Sequence, residues 1–219
     1  MINKEIQSMI VETAQNAYEE KLIAGTSGNV SFYDRENGVM YITPTNVEYR
    51  SMKAEDVAAI TLDGVPVEEG VKPSSEWRLH ARLYEAFGHI NAVIHTHSPY
   101  ATSLAAAGKE IPLILVEMLP FLGGNVPVAA FGMPGTDEVG ENAARAMTKR
   151  NAALLENHGV VAMGATLKQA YLRAVYTEDA AKIYHMACQV GTPKVLSQET
   201  EKQLRIKYHL PVDERTEEK

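Results

Sequence analysis

Residues 92–99 read Ala-Val-Ile-His-Thr-His-Ser-Pro, an apolar run that ends in two histidines one residue apart. Such a run is typical of a buried β-strand, on which residues i and i+2 point to the same face. His95 and His97 would therefore present two imidazoles side by side, which is half of a metal site. Histidines at strand ends also often bond only backbone or solvent, so the pair alone does not decide between the two interpretations.

A second strand-like run carries another histidine. Residues 152–156 read Ala-Ala-Leu-Leu-Glu and lead directly into Asn157-His158-Gly159. Three histidines from two strand ends, with one position left for water, substrate or a carboxylate, form the ligand set of a catalytic zinc site. On its own His158 adds little to the pair, and the motifs elsewhere in the chain have to decide.

Composition limits the classes of function. The 219 residues fit one domain with a substantial core, since 45% of them are hydrophobic. A net charge of −7 offers no basic face for nucleic acids or anionic membranes, so we expect neither partner. The one cysteine, Cys188, excludes an intramolecular disulfide, and the N-terminus lacks a signal-peptide pattern. These features predict a cytoplasmic protein and leave small metabolites open as its partners.

The hydrophobic periodicity predicts a single α/β domain over residues 1–219, with a flexible polar tail from about residue 209. We expect three layers, in which helices cover both faces of a largely antiparallel or mixed sheet. The predicted helices span 3–23, 74–87, 98–107, 136–148, 166–190 and 197–208, with a helical turn at 53–56. The predicted strands span 30–33, 39–42, 57–61, 65–67, 92–97, 126–130, 152–156 and 160–163.

Two polar segments are candidate anion sites. Residues 25–31, Gly-Thr-Ser-Gly-Asn-Val-Ser, form either a simple turn or a cradle in which backbone N–H groups converge. Further on, Ser74 or Ser75 is expected to be the N-cap of a helix that has Glu76 in its first turn. Helix starts bind anions well, because free N–H groups and the positive end of the helix dipole both face them.

Five motifs stand in order along the chain: Gly25-Thr26-Ser27-Gly28-Asn29-Val30-Ser31, Thr43-Pro44-Thr45, Pro73-Ser74-Ser75-Glu76, His95-Thr96-His97 and Glu156-Asn157-His158-Gly159. Their order and spacing resemble those of the class II aldolase and adducin-head family. The resemblance extends from the first helix to about residue 190. Within the family, the motifs are most similar to those of aldolases that cleave L-fuculose 1-phosphate.

The resemblance implies a role for each matching residue. His95, His97 and His158 would hold one zinc ion per subunit, and Glu76 would complete the ligand set until substrate displaces it. The substrate phosphate would be held by Gly28, Asn29, Thr45, Asn46, Ser74 and Ser75. Asn46 stands where the family pattern has glycine.

The implied reaction is reversible cleavage of a deoxyketose 1-phosphate to dihydroxyacetone phosphate and a small aldehyde. Zinc would serve as the electron sink when the C3–C4 bond breaks. Glu76 would be the base that takes a proton from the hydroxymethyl carbon of dihydroxyacetone phosphate in the synthetic direction. Pentulose-5-phosphate epimerases of the family have aspartate there, so Glu76 favours an aldolase.

The acid that protonates the aldehyde oxygen is less well defined. The family uses a tyrosine of a neighbouring subunit, and Glu117 aligns with that position, amid an apolar segment. A charged side chain is costly to bury there unless it is paired, so Glu117 either serves as the acid or faces solvent on an amphipathic strand. Tyr208 resembles a second tyrosine that reaches the site from the tail. The resemblance implies a homotetramer with sites at subunit boundaries.

The identity of the substrate stays open between several alternatives. Apolar residues around Glu117 would suit a deoxy or thioether end, such as 5-deoxyribulose 1-phosphate or methylthioribulose 1-phosphate; they are Leu115, Met118, Leu119 and Phe121. A methylthioribulose-1-phosphate dehydratase and an epimerase would use similar metal and phosphate sites. A non-catalytic interaction module of the adducin-head type is the alternative from another class, and the three histidines together with Glu76 argue against it.

Overall fold

The computed structural model describes residues 2–68 and 70–211. Its strands, in chain order, are β1 Asn29–Asp34, β2 Val39–Ile42, β3 Ala58–Ile60, β4 Ala92–Thr96, β5 Val128–Ala129, β6 Ala152–Leu155 and β7 Gly159–Gly164. They form one seven-stranded sheet in the order β3-β2-β1-β4-β7-β6-β5. All neighbouring pairs are antiparallel except β5 and β6, which are parallel. The prediction of a largely antiparallel mixed sheet is confirmed.

Helices cover both faces of this sheet. They are α1 Lys4–Glu19, α2 Trp77–Ala86, α3 Pro99–Ala106, α4 Met118–Leu122, α5 Asp137–Ala146, α6 Leu167–Val190 and α7 Gln198–Lys207. One hydrophobic core lies between the sheet and α1, α3, α4 and α6, and the other lies between the sheet and α2 and α5. The three-layer α/β architecture expected from the sequence is therefore present.

Strand β4 occupies the centre of the sheet and determines where the histidines lie. Ala92 and Ile94 pack into one core and Val93 into the other, as the alternation of a strand requires. Burial on both faces explains why the sequence there is continuously apolar. His95 lies beside Asn29 of β1 on one side and beside Val161 of β7 on the other. The C-terminal end of β4 therefore lies beside both of its neighbours, β1 and β7, at one end of the strands.

Two predicted helix boundaries are wrong. Helix α1 ends at Glu19 rather than at residue 23, because Lys21 adopts a left-handed conformation with φ 62°. Helix α2 begins at Trp77, and its N-cap is Glu76 rather than Ser74 or Ser75. A turn closed by the Trp77 N–H and the Ser74 carbonyl precedes the helix and delays its start. Glu76 thus lies just outside α2, where its side chain is not committed to the helix.

Proline shortens two of the predicted strands. Beyond β3 the return arm makes only an isolated bridge through Pro66, and β5 is reduced to two residues after Pro127. Proline has no N–H to donate to a ladder, so regular pairing cannot extend through it. The amphipathic strand that was one of the two alternatives for Glu117 is also absent from this part of the described chain, since Glu117 lies in a turn that leads into α4.

Most of the predicted tail, residues 212–219, lies outside the described part of the chain. Over residues 2–68 and 70–211, none of the helices combines the length and the apolar character needed to cross a bilayer.

Candidate active site

Four side chains from distant parts of the sequence converge at one end of the central strands. They are Glu76, His95, His97 and His158, and each offers a ligand atom within 4.8 Å of the others. The Nε2 atoms of His95 and His97 are 2.9 Å apart. The Glu76 carboxylate lies 3.3 Å from His95 Nε2 and 3.0 Å from His158 Nε2. The structure therefore brings together all four residues that the sequence predicted as metal ligands.

The local backbone explains how each group arrives. His95 lies in β4 and His97 just beyond its end, while His158 lies in the turn between β6 and β7. That turn is tight because Asn157 adopts a left-handed conformation with φ 54°. Asparagine tolerates this region better than most residues, so the Asn-His-Gly sequence is suited to the turn.

The protonation pattern favours a cation between these groups. His95 Nδ1 donates to the Val160 carbonyl at 2.8 Å, which directs the other ring nitrogen, Nε2, at His97 and Glu76. Burial, reinforced by the neighbouring imidazoles His95 and His158, lowers the pKa of His97 to about 4. Two imidazole nitrogens that face each other at 2.9 Å need a proton or a metal ion between them. Three imidazoles and one carboxylate are the donors that a divalent metal accepts in tetrahedral sites.

Glu76 is held as a carboxylate. Burial favours its neutral acid, but hydrogen bonds involving His158 and His95 outweigh burial and keep the pKa of Glu76 well below its usual range. His158 Nδ1 is buried and has no hydrogen-bond partner among the described residues. The centre is thus a negative group surrounded by imidazoles, which is the electrostatic arrangement expected of a cation site.

Gly159 allows these rings to pack, and its replacement gives a testable prediction. A Cβ at Gly159 would lie 2.5 Å from the Thr96 carbonyl and 3.1–3.2 Å from the rings of His95 and His97. Gly159→Ala should therefore push β7 and β4 apart and weaken binding of divalent metal about tenfold or more. Competition with a chromogenic chelator measures this affinity. Gly88→Ala, at a glycine with open space around it, should leave the affinity unchanged.

The residues predicted to hold a phosphate lie on loops beside this cluster. Asn29 Nδ2 donates to Ser74 Oγ at 3.1 Å and to Glu76 Oε2 at 3.0 Å. The Glu76 N–H also donates to Ser74 Oγ, at 3.3 Å, so the Ser74 hydroxyl accepts twice and keeps its own proton to donate. The Thr45 N–H donates to the Lys72 carbonyl at 3.4 Å, which places the Thr45 loop beside the Ser74 loop.

The backbone of these loops agrees with the predicted motif. Gly28 has φ 80°, and a Cβ there would lie 2.7 Å from the His95 carbonyl, so the loop packs directly on β4. Asn46 has φ 58° and thus takes the left-handed conformation in which glycine is favoured. Replacement of the family's glycine by asparagine therefore leaves this backbone conformation accessible. Ser75 lies between Ser74 and Glu76 and is exposed.

Glu117 and Tyr208 do not join this cluster within the chain. Glu117 is the N-cap residue of α4, and Tyr208 follows α7. Over the described residues, no hydrogen bond, ion pair or ring contact links either of them to the three histidines or to Glu76. Leu210, just past Tyr208, lines a cavity of about 660 Å³ with Asn151, which precedes β6. The cavity is thus at the start of β6, whereas His158 follows the end of that strand.

The apolar residues beside Glu117 are mostly part of the core. Met118 and Leu119 are fully buried in it, and Phe121 stacks on Tyr176 with ring centroids 3.9 Å apart. Leu115 is partly buried against the same core. The hypothesis that these side chains surround a deoxy or thioether end of the substrate is therefore not supported by their positions in the chain.

His80 belongs to none of the five motifs, and the sequence alone predicts a structural or surface residue there. The structure places it directly beneath the cluster, fully buried and hydrogen-bonded to the Asn29 carboxamide. Its spacing from Glu76 was the available signal, because residues four apart at the start of a helix lie on the same side.

Comparison with known proteins supports the motif assignment. Residues 8–185 match the sequence profile of the family described as Class II Aldolase and Adducin N-terminal domain. A 5-deoxy-D-ribulose 1-phosphate aldolase from Bacillus thuringiensis serovar kurstaki is 38% identical over 197 residues, which cover 88% of this chain and 92% of that protein. A 5-methylthioribulose-1-phosphate/5-deoxyribulose-1-phosphate aldolase from Rhodospirillum rubrum is 35% identical, with coverages of 85% and 83%. A solved L-fuculose 1-phosphate aldolase superposes with a TM-score of 0.90 at 35% identity and coverages of 96% and 99%.

Proposed function

The chain belongs to the class II aldolase and adducin N-terminal domain family, and from this premise we propose that it is an aldolase of 5-deoxyketose 1-phosphates. Its preferred substrate is 5-deoxyribulose 1-phosphate. Cleavage between C3 and C4 of that sugar gives dihydroxyacetone phosphate from C1–C3 and a two-carbon aldehyde from C4 and C5. Both aldolases from Bacillus thuringiensis and Rhodospirillum rubrum carry this sugar in their names.

One observation carries the proposal. The cluster of Glu76, His95, His97 and His158 lies directly beside the loops that present Ser74 and Asn29. A metal site adjoining an oxyanion-binding site matches two neighbouring groups of a ketose 1-phosphate, whose carbonyl carbon is next to the carbon that bears the phosphate. A non-catalytic interaction module would have no need to combine these groups.

We assign the metal as zinc, held by the three imidazoles with Glu76 as an exchangeable fourth ligand. When bound, a divalent cation would polarise the substrate carbonyl and stabilise the negative charge that develops as the C–C bond breaks. The Ser74 hydroxyl and the loop groups at Gly28, Asn29, Thr45, Asn46 and Ser75 bind and orient the phosphate.

Glu76 moves the proton at the carbon that becomes C3 of the sugar. In the synthetic direction its carboxylate removes a proton from the hydroxymethyl carbon of dihydroxyacetone phosphate, and in cleavage it returns one. Support for this role comes from its position at the N-cap of α2, where the carboxylate contacts His95 on the histidine side and Asn29 on the side of the phosphate loops.

The acid for the aldehyde oxygen comes from a neighbouring subunit of a homotetramer, supplied by Glu117 or Tyr208. Support for this assignment is that neither residue contacts the cluster within its own chain, as far as residues 2–68 and 70–211 show. Light scattering should give about four times the subunit mass of 24.1 kDa. A monomer that cleaves the sugar at full rate would contradict this assembly.

A panel of sugar phosphates tests the proposed function. The purified protein is incubated with 5-deoxyribulose 1-phosphate, methylthioribulose 1-phosphate, L-fuculose 1-phosphate and L-ribulose 5-phosphate, and release of dihydroxyacetone phosphate is coupled to NADH oxidation. We expect the highest kcat/KM on 5-deoxyribulose 1-phosphate. Absence of triose phosphate from every ketose 1-phosphate would end the aldolase assignment. Water loss from the thioether sugar, or C4 inversion of ribulose 5-phosphate, would instead identify a dehydratase or an epimerase.

A further inference from the structure

A chain of buried polar side chains runs from the core to Glu76. Tyr84 Oη is 2.6 Å from Ser31 Oγ, which is 2.6 Å from His80 Nδ1. His80 Nε2 bonds Asn29 Oδ1, and Asn29 Nδ2 bonds Glu76 Oε2 at 3.0 Å. Tyr84, Ser31, His80 and Asn29 are each no more than 2% exposed. Water therefore cannot replace these partners if one is removed.

We call this hydrogen-bonded series of side chains, from Tyr84 to Glu76, the relay. The direction of every hydrogen bond in it follows from the Glu76 carboxylate. A carboxylate only accepts, so the Asn29 atom that faces it must be the NH2 group, and Asn29 Oδ1 must face His80. His80 Nε2 then has to donate, which makes Nδ1 the acceptor of the Ser31 hydroxyl proton. Ser31 in turn accepts from Tyr84.

The neutral state of His80 agrees with this assignment. Complete burial lowers the pKa of His80 to about 3, so the ring carries one proton at physiological pH. The Ser31 hydroxyl therefore donates a hydrogen bond to Nδ1, and the N–H group at Nε2 donates to Asn29. The relay thus selects one tautomer of His80 and one orientation of the Asn29 carboxamide.

We propose that His80 is a positioning residue for Glu76, acting through Asn29. By donating to Asn29 Oδ1 it keeps the Asn29 NH2 group aimed at Glu76 and Ser74, and so holds the carboxylate between the histidines and the phosphate loops. Without this donor Asn29 Oδ1 is left unpaired in the core, and the carboxamide loses one of the contacts that fix its position. This inference rests on the proposed function for its kinetic readout, and it assigns His80 no contact with substrate.

A pair of amide variants isolates the one hydrogen bond. In His80→Gln the amide nitrogen reaches the place of Nε2 and can still donate to Asn29, whereas in His80→Asn it reaches only the place of Nδ1. Both variants lose the ring, so both should lower the thermal midpoint by a similar amount. The readout is solvent deuterium exchange into dihydroxyacetone phosphate, which requires Glu76 but no aldehyde and no Glu117.

We expect His80→Asn to lower kcat for exchange by about 10- to 100-fold with KM within about threefold, and His80→Gln to stay within about threefold of the unaltered protein. Cobalt(II) titration gives a readout independent of turnover: His80→Asn should show a shifted visible band, and His80→Gln the band of the unaltered protein. Gln7→Met removes an unrelated buried hydrogen bond, from Gln7 Nε2 to the Val57 carbonyl, and should lower stability alone.

Equal kcat values for the two His80 variants would overturn the proposal, as would an unshifted cobalt spectrum in His80→Asn. If His80→Asn does not fold, His80→Phe supplies the same loss of the donor in a side chain of similar volume. Exchange by the unaltered protein separates this inference from the proposed function: absence of exchange there counts against the aldolase, while exchange that is insensitive to His80 counts only against the positioning role.

Discussion

Removal of divalent metal is expected to lower both sugar cleavage and proton exchange by about a thousandfold or more. The physical reason is the charge that develops on the substrate oxygen when the C–C or C–H bond breaks. His97 is neutral, and the Glu76 carboxylate adds negative charge to the same pocket. Neutral His97 and the Glu76 carboxylate therefore offer that charge no stabilisation, which a bound cation would supply.

The experiment is stringent chelation followed by assay, with metal per subunit measured in parallel. Activity should return with one equivalent of zinc, and cobalt or manganese should also restore part of it, since three imidazoles accept several divalent metals. A preparation that is free of metal and still fully active would contradict the proposed centre. The control is the thermal midpoint of the stripped protein, which shows that the fold survives chelation.

The sequence indicated the site more accurately than it indicated the boundaries of the elements. The continuous apolar runs of β4 and β6 predict two strands that lead into histidines, and the five motifs supply the relation between them. What the sequence could not show is that β7 lies between β6 and β4, which brings His158 against His95. That arrangement depends on long-range pairing, and no local pattern encodes it.

The errors have specific physical causes. A left-handed residue, Lys21, ends α1 early, and neither the composition nor the periodicity there predicts it. Prolines 66 and 127 interrupt predicted strands, and their missing N–H groups were a signal that was available from the sequence. Around Glu117 the apolar pattern does not distinguish core residues from residues near a substrate, and tertiary packing buries Met118 in the core.

His80 shows a different limit of sequence reasoning. A lone histidine on a helix is more often a packed core residue than a functional one, and nothing in the sequence shows that it meets Asn29, 51 positions away. The two residues meet because β1, which carries Asn29, lies next to β4, while α2, which carries His80, packs against one face of the same sheet. Only the assembled fold reveals that the residue beneath the site is connected to the carboxylate in it.

Replacement of Glu76 by glutamine is expected to lower exchange of the hydroxymethyl proton of dihydroxyacetone phosphate by about 10²- to 10⁴-fold, the usual contribution of a positioned general base. The glutamine has nearly the same shape, so packing is preserved, but its amide cannot take up a proton. The three histidines remain, so we expect one metal ion per subunit to be retained. Glu12→Gln, on the exposed face of α1, is the matched control and should exchange at the normal rate.

Glu76→Asp then separates the effect of the carboxylate charge from the effect of the length of the side chain. It keeps a carboxylate but withdraws it by one methylene from His95, His158 and Asn29, which are now 3.0–3.3 Å away. If Glu76 acts as the base, the aspartate variant should exchange more slowly than the unaltered protein and faster than the glutamine variant. If the carboxylate served only to neutralise charge near the metal, glutamine would lower metal affinity and leave the exchange rate per bound metal unchanged. Exchange at the normal rate by metal-loaded Glu76→Gln would therefore remove the proton-transfer role from this residue and leave it as a ligand alone.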